Sequence, residues 1–369
     1  MRVAITGASS FVGNRIVEKF YLGKIHEVVP IVRSNSSLAL LARFNLRCRV
    51  CSHYDATKLA EAIEGCDTIV HTALGDEPER MAEAIYGAAD KTGVRRLVVL
   101  SSASIYNQNP EPGITEESPL PKKLATAYNA YKICSDRAFR NLRSNGKTEI
   151  TFLMPGIVYG PRSRWIATLA QQIIDGSAYL VDGGRGVCNA IYIDNLVQAV
   201  NLALTAEGVD GEAFFVSDSE TVTWEQFYRP VATALGVPFQ SLHFVAPPVF
   251  TTSVRERLIG RIQNLVAGRR VQTIKPYLPY GMRKIYKLGI SLTSYKHADD
   301  SNRWTVSRNG TPDVTLEMSL LHQCAYKLPT TKAELVLQYY PEVSFSEGMR
   351  RSITWLKFAG YPVSIEVRN

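Results

Sequence analysis

The chain opens Met1-Arg2-Val3-Ala4-Ile5-Thr6-Gly7-Ala8-Ser9-Ser10-Phe11-Val12-Gly13, and this stretch decides how the rest is read. The apolar run Val3–Thr6 ends at a glycine that permits a tight turn out of a strand. A second glycine, Gly13, sits at the start of the helix-period segment Val12–Leu22, where it lets a helix lie close to a sheet. Free backbone N–H groups at such a helix start can hold a pyrophosphate. Ser10 stands where a third glycine would be expected. Strand, glycine turn and helix in this order predict a dinucleotide site built from Gly7, Ser9, Ser10, Phe11, Val12 and Gly13.

Working outward, apolar runs recur at Val28–Val32, Arg47–Cys51, Thr68–His71, Leu97–Ser101 and Ile150–Met154. Helix-period segments lie between them at Leu59–Glu64, Glu79–Thr92 and Thr126–Arg143. Strand–helix alternation predicts an α/β fold with a doubly wound parallel sheet, helices covering both faces. Ligands of such sheets bind at the carboxyl ends of the strands, where the strand order reverses. The end of the second strand reads Val29-Pro30-Ile31-Val32-Arg33-Ser34, with no acid to bond the adenosine ribose. Charge complementarity at Arg33 favours NADP over NAD, while an arginine stacked on adenine or facing solvent is the other reading. Asp55, after the third strand, reads equally as an adenine contact or as a helix N-cap.

The 369 residues include 42 Lys+Arg against 34 Asp+Glu, an apolar fraction of 46% and six cysteines. These proportions exclude a disordered, collagenous or disulfide-stapled chain. The net charge of +8 is local: Pro248–His297 holds ten Lys/Arg and one acid, leaving 32 bases and 33 acids elsewhere. No basic and apolar leader precedes the first strand, and no apolar window is long enough to span a bilayer. The scattered cysteines, with one CxxC at Cys48/Cys51 in a strand-like run, predict reduced thiols, a cytoplasmic setting and no metal site.

Gly7-x-x-x-Phe11-Val12-Gly13, Asp55, Asp67-x-Ile69-Val70-His71-x-Ala73 and Leu100-Ser101-Ser102-Ala103-Ser104-Ile105-Tyr106 stand in one order. Tyr128-Asn129-Ala130-Tyr131-Lys132, Pro155-Gly156-x-Val158-Tyr159-Gly160-Pro161 and Ile191-Tyr192-Ile193-Asp194-Asn195 follow. Together they resemble an extended short-chain dehydrogenase/reductase of the NAD(P)-dependent epimerase/dehydratase group, over residues 1–236 and about 325–360. The resemblance implies a Rossmann-like domain over residues 1–155 plus about 190–206. A smaller C-terminal substrate-binding lobe, 156–369, would carry a basic insert at about 240–324 and end in the helix Phe345–Phe358.

Tyr128 and Lys132, four apart, share a helix face, and a nearby ammonium favours a phenolate. The same spacing at Tyr54/Lys58 and Tyr280/Lys284 lacks the preceding strand and serines. The resemblance implies that Tyr128 is the catalytic acid/base and that Lys132 lowers its pKa and bonds the cofactor ribose. Ser102 would bond the reacting oxygen, with Ala73, Ser101 and Pro155 beside the NAD(P). Tyr131 and Trp165 read as packing, and Asp194 as the N-cap of a helix over Asn195–Thr205. Met154 stands where the family often has Arg.

No carboxylate follows Ser102, so 4,6-dehydration lacks its usual catalyst. What remains is 4-epimerisation or 4-keto reduction, most readily of a nucleotide sugar. Ser104, Tyr106, Arg162, Arg164, Arg185 and Asn189 are the candidate substrate contacts, the arginines suiting a diphosphate. The alternative is an NADPH-dependent reductase or dehydrogenase of a lipophilic alcohol or ketone at a membrane surface. In the insert, Val254, Leu258, Ile262 and Leu265 recur at helical spacing, with Arg257, Arg261 and Arg269 off that face. This basic amphipathic helix reads as a lid over the substrate lobe or as a peripheral contact with the inner face of a membrane. Lys275–Lys296 mixes bases and tyrosines without a nucleic-acid-binding module, so no nucleic-acid partner is expected. A homodimer is implied by the resemblance alone.

Overall fold

Seven strands, among the described residues, form one sheet in the order β11-β6-β5-β4-β1-β2-β3, every neighbouring pair parallel. They are β1 (Arg2–Thr6), β2 (Glu27–Val32), β3 (Arg49–Val50), β4 (Thr68–His71), β5 (Arg96–Leu100), β6 (Glu149–Pro155) and β11 (Ala213–Val216). The computed structural model describes residues 1–122, 124–248 and 310–364, of which 1–247 and 310–364 belong to one compact unit. The amphipathic helix predicted around Val254–Leu265, the Lys275–Lys296 stretch and the Tyr280/Lys284 pair lie outside the described residues.

Alternation along each strand sorts the side chains into two cores. Val3, Ile5, Val28, Val98 and Leu153 face α1 (Phe11–Leu22) and α6 (Ile193–Thr205), meeting Ile16, Phe20, Leu196 and Val200. Ala4, Ile31, Leu97, Val99 and Phe152 face the other way, onto α2 (Ala56–Ile63), α3 (Pro78–Thr92) and α4 (Ala127–Arg143). A strand buried on both faces needs near-continuous apolar sequence, which is why β5 reads RLVVL. Each fully buried Val, Ile or Phe contributes about 1.5–3 kcal/mol by leaving water. The doubly wound α/β sheet expected from the sequence is therefore the observed one, with one strand, β11, that the apolar runs did not reveal.

A third core joins α5 (Arg164–Ile174), α7 (Trp224–Ala234) and, after α8 (Leu316–His322) and α9 (Thr331–Leu337), α10 (Phe345–Phe358). Here β7 (Ile157–Tyr159) pairs with β10 (Ala190–Tyr192), β8 (Tyr179–Val181) with β13 (His243–Val245), and β9 (Val187–Cys188) with β12 (Val222–Thr223). The described ends of the segment read as an insert are thus built into this lobe: β13 extends β8, and the α8 residue His322 accepts a bond from Val181 N through Nδ1 at 3.0 Å. No described helix is long and apolar enough to cross a membrane.

Candidate active site

The strand order reverses at β1, so the cleft beyond the carboxyl ends of β1, β4 and β5 is where a ligand would sit. Gly7 leaves β1 with φ +71°, a left-handed conformation natural to glycine. A Cβ on Gly7 would lie 2.8 Å from Ala73 N, and one on Gly13 would lie 2.3 Å from Gly7 O. The turn is therefore closed tightly against β4, and its backbone can approach a pyrophosphate. That cradle fits the NAD(P) expected from the sequence. Ser10, in the missing glycine's place, caps α1, its Oγ accepting from Gly13 N at 3.1 Å. Thr72 Oγ1 donates to Thr6 O at 2.8 Å and pins the turn to β4. Ser9 lies half-buried in the turn, while half-buried Phe11 and Val12 pack on the C-terminal core. Pro155 ends β6, buried beside Val216 of β11.

Beyond the end of β2, exposed Arg33 shares a surface cavity with His53, Tyr54, Gly75 and Asp76. Asp55 Oδ1 accepts from Lys58 N at 3.1 Å, the N-cap role left open by the sequence.

The chemistry-bearing side chains come from α4 and the turn after β5. Thr126 caps α4, accepting from Asn129 N at 3.2 Å, and so fixes the first turn that carries Tyr128. Tyr128 is 40% exposed, and Ser102 lies near enough to oppose the rise of its phenol; the Ser102 Oγ accepts from Ser104 N at 3.2 Å. One turn on, Lys132 is buried; its Nζ donates to Leu100 O at 2.8 Å and lies 6.0 Å from the Tyr128 ring centroid. A further turn on, Asp136 accepts from Ser101 Oγ at 2.6 Å, wholly inside the protein. Ser104 Oγ is buried without a hydrogen-bond partner among the described residues.

Burial dominates the electrostatics. It pushes Lys132 down to about 8, against the opposing pull of Asp136, and pushes Asp136 up to about 6. The phenol of Tyr128 is likewise raised by burial, with Glu317 and Asp136 adding to the rise and Ser102 opposing it. The Lys132 ammonium is turned to the Leu100 carbonyl beneath the ring. Ser101, expected beside the cofactor, spends its hydroxyl on Asp136.

Several expected substrate contacts are placed elsewhere. Tyr106 is buried in the sheet core, its hydroxyl donating to Glu116 O at 2.9 Å and its ring edge-on to Phe215. Asn189 is spent on the chain after α8: its Nδ2 donates to Tyr326 O and its Oδ1 accepts from Leu328 N, both at 2.9 Å. Arg162 reaches α1 and donates to Asn14 Oδ1 at 2.7 Å, beside Arg43, which donates to the same oxygen at 3.0 Å. Arg185 is exposed and pairs with Asp182 of its own turn at 2.5 Å. That turn's glycines serve packing, since a Cβ on Gly186 would lie 2.0 Å from His322 O. Arg164 is exposed on the first residue of α5. Asp194 is not a cap: Tyr192 holds that position, and Asp194 lies in the first turn of α6. It receives Arg15 at 2.6 and 2.9 Å, Lys19 at 3.3 Å and Arg351 at 3.5 Å. Burial alone would raise this carboxyl, but Arg15 and Lys19 hold it below the ordinary range.

Asp136, Gln108, Asn129 and Glu317 escaped the sequence reading. Asp136 continues the spacing of Tyr128 and Lys132 by four more residues, a signal that was present. Nothing in the sequence brings Glu317 beside Gln108, 209 residues away. Among the described residues no group of three or more His, Cys, Asp or Glu could hold a metal.

Comparison with known proteins places these features in context. A family model described as the NAD dependent epimerase/dehydratase family matches residues 3–217. An uncharacterised protein of Sinorhizobium fredii is 29% identical over 73% of this chain, and the match spans 64% of its own length. A sterol-4-alpha-carboxylate 3-dehydrogenase, decarboxylating, of Dictyostelium discoideum is 25% identical over 68% of this chain and 82% of its own. Among solved structures, a UDP-glucose 4-epimerase of Thermotoga maritima with UDP-glucose superposes with a TM-score of 0.65 at 17% identity, covering 97% of this chain and 99% of that one.

Proposed function

The chain belongs to the NAD dependent epimerase/dehydratase family, and from that premise we propose that it epimerises the C4 carbinol of a nucleotide sugar or reduces a 4-keto group on one, through Tyr128, Ser102 and Lys132. The observation that carries this reading is Tyr128 on α4, standing over buried Lys132, whose Nζ is held by Leu100 O at the carboxyl end of β5 next to Ser101 and Ser102. NAD(P) bound at the Gly7 turn would supply the hydride chemistry. The protein's own groups handle the proton. Ser102 would hold the reacting oxygen, and Tyr128 would give or take its proton. A phenol raised by burial is protonated at neutral pH and is ready as an acid, the role keto reduction requires. Lys132 would hold the floor beneath the ring and, as an ammonium, favour the phenolate when the proton leaves.

The polar side chains beside Tyr128, namely Asn129, Gln108 and Glu317, suit a hydroxyl-rich substrate. The superposable Thermotoga maritima enzyme carries UDP-glucose, which agrees with this choice. A second reading, a sterol or other lipophilic alcohol, is favoured by the Dictyostelium discoideum relative. Thermal melting with NAD present separates the two. UDP-glucose should raise the melting temperature by several degrees while cholesterol in detergent leaves it unchanged; the reverse pattern overturns the nucleotide-sugar reading.

For the cofactor, Arg33 at the end of β2 is proposed to pair with a 2′-phosphate. Arg33→Ala should weaken NADP binding by about tenfold and leave NAD binding unchanged, as titration of each nucleotide would report. An equal response of both nucleotides would rule out the pairing.

A further inference from the structure

Next to the phenol lies a polar cluster that the proton handling above does not use. Asn129 and Gln108 form a reciprocal amide pair: Gln108 Nε2 donates to Asn129 Oδ1 at 2.8 Å, and Asn129 Nδ2 donates to Gln108 Oε1 at 3.0 Å. Asn129 Nδ2 also donates to Asn107 Oδ1 at 3.0 Å, and Thr126 Oγ1 donates to Asn129 Oδ1 at 2.7 Å. The pair is therefore rigid and follows Tyr128 directly on α4. The second proton of Gln108 Nε2 goes to Glu317 Oε1 at 3.3 Å.

Glu317 comes from the far end of the chain, on α8, and is half-buried. Its bond to Gln108 sets it against the turn that leaves β5 and begins at Ser102. Among the described residues no cation pairs with it, and the long bond from Gln108 is its one hydrogen bond. A carboxylate only accepts hydrogen bonds, and a half-buried one with a single long bond has capacity left for a further donor. A donor delivered beside the reacting carbon would satisfy it. A second carboxylate there would meet like charge in a partly desolvated cleft.

We propose that Glu317 determines specificity, accepting a hydrogen bond from a hydroxyl or amino group adjacent to the reacting carbon and rejecting substrates with a carboxylate at that place. This rests on the nucleotide-sugar reading. A plainer role exists for an acid in the first turn of α8, where it favours the helix dipole. That role would alter melting temperature and not the choice between substrates.

The test uses the full chain loaded with NAD and titrated calorimetrically with UDP-glucose and UDP-glucuronic acid. The parent should favour UDP-glucose by about tenfold or more, as expected when a like charge is excluded. Glu317→Gln should bring the two affinities within about threefold, mainly by gaining UDP-glucuronic acid. Glu317→Ala, which removes the group altogether, should close the gap in the same way. NAD affinity and melting temperature serve as checks that each variant is folded. A parent ratio that survives in both variants overturns the proposal while leaving the nucleotide-sugar reading intact. If neither sugar nucleotide binds the parent, that reading fails and the proposal falls with it.

Discussion

Tyr128→Phe should slow hydride turnover by about a hundred- to ten-thousandfold, the range spanned by a positioned acid/base, with NAD(P) affinity almost unchanged. The substitution deletes one hydroxyl. It keeps the ring over Lys132, whose Nζ lies 6.0 Å from the centroid, and leaves the capped first turn of α4 intact. Ser102 still accepts from Ser104 N. The loss should therefore appear in kcat, because the proton transferred in the transition state has no donor. Turnover is read as the C4 epimer formed from UDP-glucose, with net oxidation followed separately by the nicotinamide absorbance, and cofactor affinity from fluorescence titration. Turnover equal to the parent's would mean that another group handles the proton.

The second large effect concerns stability. Arg96→Met should cost about 2–5 kcal/mol of unfolding free energy, since it strips buried acceptors of their donor. Arg96 lies in β5 and is 1% exposed. Its Nη1 donates to Ala203 O at 2.9 Å and to Ala206 O at 2.6 Å, two carbonyls at the end of α6. Nε and Nη2 meet Glu149 Oε2 at 2.8 and 2.7 Å. The sheet thus supplies the C-terminal cap of α6, a helix with no basic residue in its own last turn. Glu149→Gln should be milder, about 1 kcal/mol, because its side chain is partly exposed and the carbonyl bonds survive. Urea midpoints measure both. A cost for Arg96→Met no greater than that for Glu149→Gln would show that water satisfies the α6 carbonyls.

The backbone order of the first 155 residues was legible because each element carries its own signal. β1 ends at a glycine, α1 begins at a serine, and the strands are apolar on both faces because helices cover both. The strand β11 was not legible: Ala213–Val216 is a four-residue run buried throughout, with no alternation to tell it from a buried helix segment. In the site, Tyr128 and Lys132 could be placed together since one helix fixes their spacing. Loop residues could not, because position along a chain does not set where a side chain points. Arg162 went to α1, Asn189 to the segment after α8, and Tyr106 into the core. Glu317 required the fold itself, which closes the distance between α8 and the turn after β5.

The carboxylate of Asp194 is gripped by Arg15 and Lys19 of α1 and by Arg351 of α10. Because this side chain is nearly buried, at 6% exposure, its ties are shielded from salt that would weaken surface pairs. The helix whose start is proposed to face the dinucleotide is therefore immobilised in advance by two other elements. An incoming nucleotide bound there would find its phosphate cradle already ordered, so less of its interaction energy would be consumed in freezing the protein.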